Sequence, residues 1–442
     1  MLPARRFFSW TLLASVLVLI FSAQLVLAQT TISTGSLQGT IVDPSGAVVS
    51  GAKVIISSKQ TGQAINTTTN SAGVYASGAL TPGDYVVRVE AKGFKTAELP
   101  VTVQVGVTAP GSIRLQVGQA DQVVEVEGTA LQVNTEQATV QGVLSAQQID
   151  TLPINGRNFL DLAQLEPGVQ IQDGGTFDPT KNGFSSISFG GRYGRTARIE
   201  VDGIDISDET VGTTTQNIPA GAISEFQIGQ SMLDLSTELT SSGSVNVVTR
   251  SGTNTWHGDA FYLFRDSSLA AKLPGTTSSP FQRNQFGGRF GGPVIKDRLF
   301  FFLTGERIKQ DLSAPVQPSE PFGSLAGNYS SPFRDAQLMG RLDYQLKGSA
   351  RLFYRFSYEQ NRNVSGYIPN TYQPFANVNH TPVHAGGIDF TTGAYTHSIR
   401  AGYTKFRNGI TDATIGTSII NPAPQLELSI GSDPFCLTPA AN

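Results

Sequence analysis

The sequence predicts a mainly β protein. It contains 47 glycines and 23 prolines among 442 residues, which favours many turns and few long helices. Short runs rich in β-branched residues, separated by turn clusters, fill the first part of the chain. Longer runs in the last part alternate between apolar and polar positions, which is the period of a β-strand.

Charge and cysteine content narrow the possible functions. There are 31 lysines and arginines against 34 aspartates and glutamates, so the formal net charge is −3. The sequence therefore predicts no nucleic-acid partner, because such binding needs a basic field. Cys436 is the single cysteine, so the chain contains neither an intrachain disulfide nor a CxxC pair. The length is typical of about three domains.

The N-terminus has the pattern of an export signal. Arg5 and Arg6 precede an apolar run over residues 10–27, which ends in Val26-Leu27-Ala28. Small residues at these positions indicate a signal peptide over residues 1–28, cleaved after Ala28. The alternative is an uncleaved membrane anchor. Both interpretations place the rest of the chain outside the inner membrane.

Residues 35–118 are predicted to form a β-sandwich. The turns Asp43-Pro44-Ser45-Gly46 and Thr81-Pro82-Gly83-Asp84 separate short β-branched runs. The order of Gly39-Thr40-Ile41-Val42-Asp43, Ala72-Gly73-Val74-Tyr75 and Gly93-Phe94 resembles the carboxypeptidase regulatory-like domain. That resemblance implies a transthyretin-like, carbohydrate-binding-like fold without chemistry of its own.

Residues 119–130 are predicted to be a linker. Within it, Asp121-Gln122-Val123-Val124-Glu125-Val126-Glu127-Gly128 mixes valines with acidic residues. One interpretation is a strand of a neighbouring domain. The other is an extended peptide that binds a periplasmic partner by strand addition through Asp121, Val123, Val124 and Val126.

Residues 131–250 combine short helices, turns and strands. Ser145 followed by Gln148 is typical of a helix start. The run Leu152-Pro153-Ile154-Asn155-Gly156-Arg157-Asn158-Phe159-Leu160-Asp161-Leu162 resembles the plug domain of Oar-like TonB-dependent outer-membrane receptors. The resemblance suggests that Asn155, Gly156, Arg157 and Asn158 form a polar turn. Asp202 and Gly203 would form a second turn, and a purely structural role fits both.

Further segments match the same family in order. They are Val201-Asp202-Gly203-Ile204-Asp205, Glu225-Phe226-Gln227-Ile228, Gly243-Ser244-Val245-Asn246-Val247-Val248-Thr249-Arg250 and Gly291-Gly292-Pro293-Val294-Ile295-Lys296. The resemblance implies that the third of these leads from the plug into a membrane barrel.

Residues 251–442 show the alternation most clearly. Positions 352, 354, 356 and 358 are all apolar or aromatic, whereas Arg351, Arg355 and Glu359 occupy the opposite face. A soluble sandwich also alternates. These runs, however, reach the roughly 9–11 residues that cross a bilayer at a tilt. They therefore predict membrane strands with an apolar outer belt and a polar interior.

Only about seven such strands can be placed, whereas plugged outer-membrane transporters have roughly 22. Too few strands would leave open edges, which lipid does not satisfy. We therefore expect an N-terminal fragment of a longer receptor, or a truncated product.

No catalytic, cofactor or metal site is predicted. His380 and His384 are four residues apart, but Pro382 between them excludes a helix, so we expect a loop. Asp202, Asp205 and Asp208 lack the spacing of a calcium loop and are interpreted as a solvated turn. The sequence contains no HExxH, GxSxG or Walker motif, so we expect a protein that is not an enzyme.

The predicted fold class is mainly β. It comprises a signal peptide, a transthyretin-like β-sandwich (35–118), an α+β plug domain (131–250) and the first strands of a transmembrane antiparallel β-barrel (251–442). The predicted location is the cell outer membrane, with outer-membrane lipid as one partner.

The resemblance implies a receptor and transporter for an unidentified ligand, such as a carbohydrate or peptide. A TonB-type transducer in the inner membrane would energise it. The alternative is a surface carbohydrate-binding or adhesion protein that a barrel displays, without transport.

Overall fold

The computed structural model shows a mainly β protein, as predicted. The structure describes residues 33–118, 123–125, 141–152, 154–176, 178, 181, 183–230, 240, 242–271, 280–317, 323–347, 350–368, 371–392, 395–413, 427–430 and 433–436. The predicted signal peptide lies outside the described residues. Within the described part, none of the helices has the length and apolar character needed to cross a membrane.

The first unit, called the sandwich, consists of two packed sheets. Its strands are β1 (Ser36–Val42), β2 (Lys53–Ser58), β3 (Ala64–Thr68), β4 (Val74–Ala76), β5 (Gly83–Glu90), β6 (Thr96–Val103), β7 (Thr108–Pro110), β8 (Ile113–Arg114) and β9 (Val123–Glu125). One sheet has the order β3-β2-β5-β6-β9, and in the other β1 lies between β4 and β7 and also pairs with β8. Alternate side chains meet in a core that includes Leu37, Ile56 and Val87.

The second unit, called the central unit, has one short helix and several small sheets. Its strands are β10 (Gln141–Ser145), β11 (Val169–Asp173), β12 (Ser185–Phe189), β13 (Ala197–Val201), β14 (Ile204–Asp205), β15 (Ser207–Asp208), β16 (Thr213–Thr214), β17 (Ile223–Gln230) and β18 (Gly243–Thr249). Its main sheet has the order β10-β17-β18-β13-β14, in which β13 and β18 run parallel.

The helix α1 (Ala146–Thr151) confirms the predicted helix start. The Ser145 hydroxyl accepts a hydrogen bond from the Gln148 amide, and the Gln148 side chain accepts one from the Ser145 amide. This capping box satisfies two of the amides that a helix start leaves free. Two 3-10 turns, Asn155–Arg157 and Phe159–Leu165, follow and lead into β11.

An apolar core holds the central unit together. Phe159, Ile199, Phe226 and Val247 are at most 2% exposed within it. The core combines the second 3-10 turn with the inner face of the main sheet. Burial of this apolar surface is the main stabilising contribution to such a unit.

The third unit, called the large sheet, is antiparallel and long-stranded. Its strands are β19 (His257–Asp266), β20 (Phe281–Ile295), β21 (Leu299–Val316), β22 (Gly327–Ser330), β23 (Phe333–Lys347), β24 (Ala350–Ile368), β25 (Thr371–Thr392), β26 (Tyr395–Thr404) and β27 (Arg407–Asp412). Seven of them form the path β19-β20-β21-β23-β24-β25-β26, while β22 pairs with β21 and β27 with β25. A separate hairpin joins β28 (Glu427–Ile430) and β29 (Asp433–Cys436).

The two faces of the large sheet differ as the alternation predicted. On β23, Leu338 and Leu342 are about half exposed, whereas Arg341 and Asp343 between and beside them are buried. On β24, Tyr354 is exposed and its neighbour Arg355 is fully buried. The buried polar face packs against the central unit, and the exposed face is apolar and aromatic.

The connections differ between the two ends of the large sheet. We call the end that contains the turn Lys296–Arg298, where β20 ends and β21 begins, the short-turn end. The opposite end, where β20 and β23 begin, is the long-loop end. These ends give the positions of the contacts described below.

His380 and His384 lie in β25, so the loop expected there is wrong. Pro382 is accommodated because the neighbouring strand is broken beside it. His380 pairs with Arg407 of β27, and Val383 pairs with Thr404 of β26. A proline cannot donate to a sheet ladder, and at this break no donor is required. The two imidazoles contact the hydroxyl groups of Tyr358 and Tyr354 at 3.1 and 2.7 Å.

The sandwich lies against the short-turn end. The Asn254 amide donates to Gln60 O at 3.0 Å, and the Asn254 side chain donates to Thr61 O at 2.8 Å. The backbone amide of Val105 donates to the Glu225 carboxylate at 2.6 Å. The sandwich therefore contacts both the large sheet and the central unit.

Three glycines of the sandwich loops make these contacts close. A Cβ at Gly62, Gly78 or Gly106 would lie 2.5 Å from a side-chain atom of Asp297, Thr391 or Gln227, respectively. All three glycines also have φ near +70°, a conformation that favours glycine. A side chain at any of these positions would require the facing side chain of Asp297, Thr391 or Gln227 to move.

Candidate functional site: the contact between the central unit and the large sheet

The turn between β13 and β14 brings Asp202 to the large sheet. Asp202 and Gly203 both have positive φ, 52° and 77°, which is the conformation of a tight hairpin turn. The turn was predicted, but its interpretation as solvated is wrong for Asp202. This side chain is 1% exposed, because the turn packs against the inner face of β23 and β24.

Two arginines of the large sheet bind the Asp202 carboxylate. Arg341 Nη1 lies 2.9 Å from Oδ1, and Arg355 Nε lies 2.9 Å from Oδ2. The amide and hydroxyl of Thr249 add hydrogen bonds at 2.9 and 2.8 Å. Arg341 also pairs with both oxygens of Asp343, each at 2.9 Å. The set is thus charge-balanced, with two carboxylates and two guanidinium groups.

The pKa of Asp202 reflects this environment. Burial by itself would raise the pKa, but the guanidinium groups of Arg341 and Arg355, together with the Thr249 hydrogen bonds, hold it below its usual value. The carboxylate is therefore charged at neutral pH. A buried charge of this kind stabilises the contact only while its partners stay in place.

The predicted polar turn at Asn155–Asn158 forms a second contact between the central unit and the large sheet. Gly156 and Arg157 have φ of 70° and 57°, so the chain reverses sharply there. The Asn158 side chain accepts from the Leu160 amide at 3.0 Å and donates to Ser185 Oγ at 2.7 Å. Asn158 thereby starts the Phe159–Leu165 turn and fixes the loop to β12.

This turn binds the large sheet through backbone and side chain. Gly156 O accepts from Arg283 Nη2 and from Gln285 Nε2, each at 3.1 Å. Arg157 Nε lies 3.3 Å from Glu306 Oε2, and its guanidinium carbon lies 4.1 Å from the Phe261 ring centre. Cation–π and ionic contacts of this kind position an arginine in two directions.

A third contact joins Asn217 of the central unit to the Glu359 carboxylate of the large sheet. The Asn217 amide donates to Glu359 Oε2 at 2.5 Å, and its side chain donates to Oε1 at 2.9 Å. Behind Glu359, Asn379 donates to Asn361 at 2.7 Å, and Asn408 donates to Asn379 at 2.6 Å. The inner face of β24, β25 and β27 is therefore a hydrogen-bonded asparagine network.

Asp150 adds a further ionic contact to the interface. Asp150 of α1 binds Arg250 and Arg289 at 2.9 and 3.0 Å. Burial would raise the pKa of Asp150, but these two arginines lower it. Within the central unit, Lys181 pairs with Asp208.

A cavity of about 200 Å³ lies beside the Asn155–Asn158 turn. Its lining combines polar and apolar side chains from both units: Arg157, Asn217, Ile218, Arg283, Glu306, Ile308, Phe333 and Asp335. Arg283 and Phe333 stand near the starts of β20 and β23, at the long-loop end. The cavity is therefore near the opposite end of the large sheet from the sandwich.

The predicted strand-addition segment is only partly described. Val123 and Val124 belong to β9, which pairs in parallel with Thr96 and Ala97 of β6. Asp121 and Val126 lie outside the described residues. The interpretation as a strand of the neighbouring domain therefore holds for residues 123–125, and partner binding by the segment stays a prediction.

Among the described residues, no group of three or more histidine, cysteine, aspartate or glutamate side chains is arranged to hold a metal ion. The contact surface is instead built from ionic pairs and amide hydrogen bonds between two units. Such an arrangement can hold one unit against another and can bind polar ligand groups.

The sequence predicted the two turns but not the residues of the large sheet that they contact. Arg355 and Glu359 were predicted only to lie on the polar face of a strand. A signal was present, because ionisable residues on an inward face require a partner when they are buried. The sequence does not say which residue supplies that partner.

Two parts of the chain match known protein families. Residues 36–116 match the carboxypeptidase regulatory-like domain, and residues 248–331 match the outer membrane beta barrel domain. The first match covers the sandwich. The second begins at the end of β18 and covers the first strands of the large sheet.

Known proteins resemble longer stretches. The TonB-dependent transporter Oar of Myxococcus xanthus is 26% identical over 394 residues, which cover 79% of this chain and 34% of that protein. This chain thus spans about a third of the length of the curated relative it matches. Two solved structures also resemble it, the siderophore receptor PirA from Acinetobacter baumannii and the outer membrane transporter YddB from Escherichia coli.

The PirA structure has a TM-score of 0.46 and 20% identity, covering 61% of this chain and 40% of PirA. The YddB structure has a TM-score of 0.48 and 13% identity, covering 60% of this chain and 38% of YddB.

The fold and the family matches define an outer-membrane β protein with an N-terminal regulatory-like sandwich. The predicted outer-membrane location is confirmed by the match to the outer membrane beta barrel domain and by the similarity to Oar. The predicted resemblance to Oar-like TonB-dependent receptors is confirmed by the same two findings.

Proposed function

We propose that this chain is part of an outer-membrane TonB-dependent receptor that transports a ligand and is not an enzyme. The observation that carries the proposal is the seating of the central unit on the polar face of the large sheet through Asp202, Arg341 and Arg355. The opposite face of that sheet is apolar and suits lipid. Similarity to a transporter does not favour the adhesion alternative.

In this proposal residues 1–28 are a cleaved signal peptide, and residues 131–250 are a plug. The long strands are membrane strands, so the short-turn end faces the periplasm and the long loops face outwards. The sandwich at the short-turn end then lies in the periplasm. The linker that follows it is thereby on the side from which an inner-membrane transducer acts.

The transducer is proposed to pair with residues 121–128 by strand addition. Backbone hydrogen bonds would supply the affinity, and the alternate side chains would set the register. Force on this segment would move the central unit and break its ionic contacts with the large sheet one after another. The ligand is proposed to be a carbohydrate or peptide that enters from the long-loop end.

The experiment measures binding of the periplasmic domain of the cell's TonB-type transducer to the chain in outer-membrane vesicles. Replacement of residues 121–128 by glycine and serine should abolish binding. The matched control is the same replacement at residues 272–279, eight residues between β19 and β20, which should leave binding unchanged. Retained binding after the first replacement would refute the role of the segment. Recovery of the whole chain as a soluble periplasmic protein would refute the receptor function.

A further inference from the structure

The lining of the cavity beside the Asn155–Asn158 turn includes two buried acceptor oxygens to which no described residue donates a hydrogen bond. Asp335 is 2% exposed, and its Oδ2 accepts from Gln337 at 2.7 Å. Its Oδ1 is buried and accepts no hydrogen bond from the described residues. Such an oxygen costs free energy unless a donor reaches it.

Asn217 supplies the second acceptor. Its side-chain nitrogen donates to Gly183 O at 3.0 Å and to Glu359 at 2.9 Å. These two bonds fix the orientation of the side-chain amide, and its oxygen Oδ1 is the atom that they do not use. Within the described part of the chain, that oxygen also accepts no hydrogen bond.

The neighbouring charges are engaged elsewhere. Glu306 is bound by Arg157 and Gln285. The two terminal nitrogens of Arg283 donate to Gln310 Oε1 and Gly156 O at 3.3 and 3.1 Å, although its Nε has no acceptor among the described residues. Among the described residues, two carboxylates of the cavity lining, Asp335 and the half-buried Asp161, form no ion pair, and Asp335 is the more deeply buried of the two.

The cavity lining also has an apolar part. Ile218, Ile308 and Phe333 stand beside the polar groups. A ligand group that fits both parts has several N–H donors, a positive charge and a short aliphatic chain. A primary ammonium on a methylene chain, as in a lysine side chain or a diamine, has all three.

We propose that this cavity binds a primary alkylammonium group, with Asp335 and Asn217 as acceptors and Ile308 and Phe333 against the methylene chain. The inference deepens the proposed function and rests on it, because the long-loop end is the side from which a ligand would enter. It narrows the ligand class to molecules that carry a primary amine, such as lysine-containing peptides.

The test measures binding of cadaverine (1,5-diaminopentane) to the purified chain in detergent by calorimetry, in 150 mM KCl. Asp335→Asn should weaken binding at least about tenfold, since a charge-assisted hydrogen bond is lost. Asp335→Glu should retain most of the affinity. The matched control is Asp311→Asn, an exposed carboxylate of β21 outside the cavity, which should bind as the unaltered chain does.

A second measurement uses the unaltered chain and does not depend on the folding of a variant. The neutral analogue 1,5-pentanediol should not displace cadaverine. Absence of cadaverine binding, displacement by the diol, or equal affinity in Asp335→Asn and Asp311→Asn would each overturn the inference.

The two proposals fail separately. If the chain binds the transducer but not the amine, the cavity inference is wrong and the receptor function stands. If it binds the amine but not the transducer, the opposite holds.

Discussion

The central unit has two contact surfaces of opposite character. Towards its own sheet it buries Phe159, Ile199 and Phe226 in an apolar core. Towards the large sheet it presents Asp202 and Arg157 to charged partners. Both surfaces are buried, so burial alone does not distinguish them.

The two surfaces differ in whether water can compensate for the contacts that are lost on separation. Water cannot compensate for the loss of an apolar contact, whereas it can hydrate a carboxylate and a guanidinium once both become exposed. The internal core therefore keeps the unit folded, and the ionic surface holds the unit in place while allowing it to leave intact. Partial separation, which leaves a charge buried without its partner, is the costly state.

The strongest test of this comparison is Asp202→Ala. Removal of the carboxylate leaves the Arg341 and Arg355 guanidinium groups buried without their anion, so we expect a loss of about 3–5 kcal/mol of unfolding free energy. Denaturant unfolding in detergent measures it. Asp205→Ala removes a partly exposed carboxylate from the same hairpin and should cost much less. Equal losses would show that burial of Asp202 is not the source of the effect.

The apolar surface is tested by Ile199→Ala. Ile199 is 2% exposed in the core of the central unit, and its truncation should cost about 2–5 kcal/mol. Ile199→Val should cost only about 0.5–1.5 kcal/mol. The same unfolding measurement applies. If both variants retained the stability of the unaltered chain, the apolar core would not be what holds this unit together.

The contact between sandwich and central unit should depend on pH. Burial raises the pKa of Glu225 to about 8, although the hydrogen bond from the Val105 amide opposes the shift. The folded chain thus binds this proton more tightly than the unfolded chain. The resulting stability is fully present below the unfolded pKa and is lost as the pH rises through about 8. We expect a loss of about 3 kcal/mol between pH 5 and pH 8.

Thermal unfolding of the unaltered chain and of Glu225→Gln, followed across that pH range, measures this effect. The variant cannot titrate at this position, so its unfolding midpoint should fall less. Parallel pH profiles would contradict the assignment to Glu225.

The smallest effect is expected at an exposed ion pair. Lys53 and Glu90 lie 3.2 Å apart on the surface of the sandwich, with Lys53 about half exposed. Lys53→Ala should change the unfolding free energy by less than about 1 kcal/mol, and added salt should reduce the difference. A loss as large as that of Asp202→Ala would remove the distinction between buried and exposed pairs.

Much of the fold follows from local patterns. The alternation over residues 351–359 predicted which face of the large sheet is polar, because successive side chains of a strand point to opposite faces. Ser145 and Gln148 predicted the start of α1 through their capping geometry. Both signals involve residues that are close in sequence, so a single sequence contains them.

The partners across the contact did not follow from the sequence. Arg341 is 139 residues from Asp202, and the local sequence around Asp202-Gly203 is that of any exposed turn. Which turn reaches which strand is decided by the arrangement of whole units. The loop predicted around Pro382 was wrong for a related reason. A proline fits in β25 only because the neighbouring strand is broken between β26 and β27.

The glycine contacts of the sandwich have a consequence for protein engineering. Gly62, Gly78 and Gly106 lie so close to the neighbouring units that an added methyl group at any of them would overlap a side-chain atom there. A fluorescent or affinity tag introduced into these loops would disturb the contact whose loss it is meant to detect. Sensors for the position of the sandwich are better attached at Gly46, where an added carbon meets no atom within 4 Å.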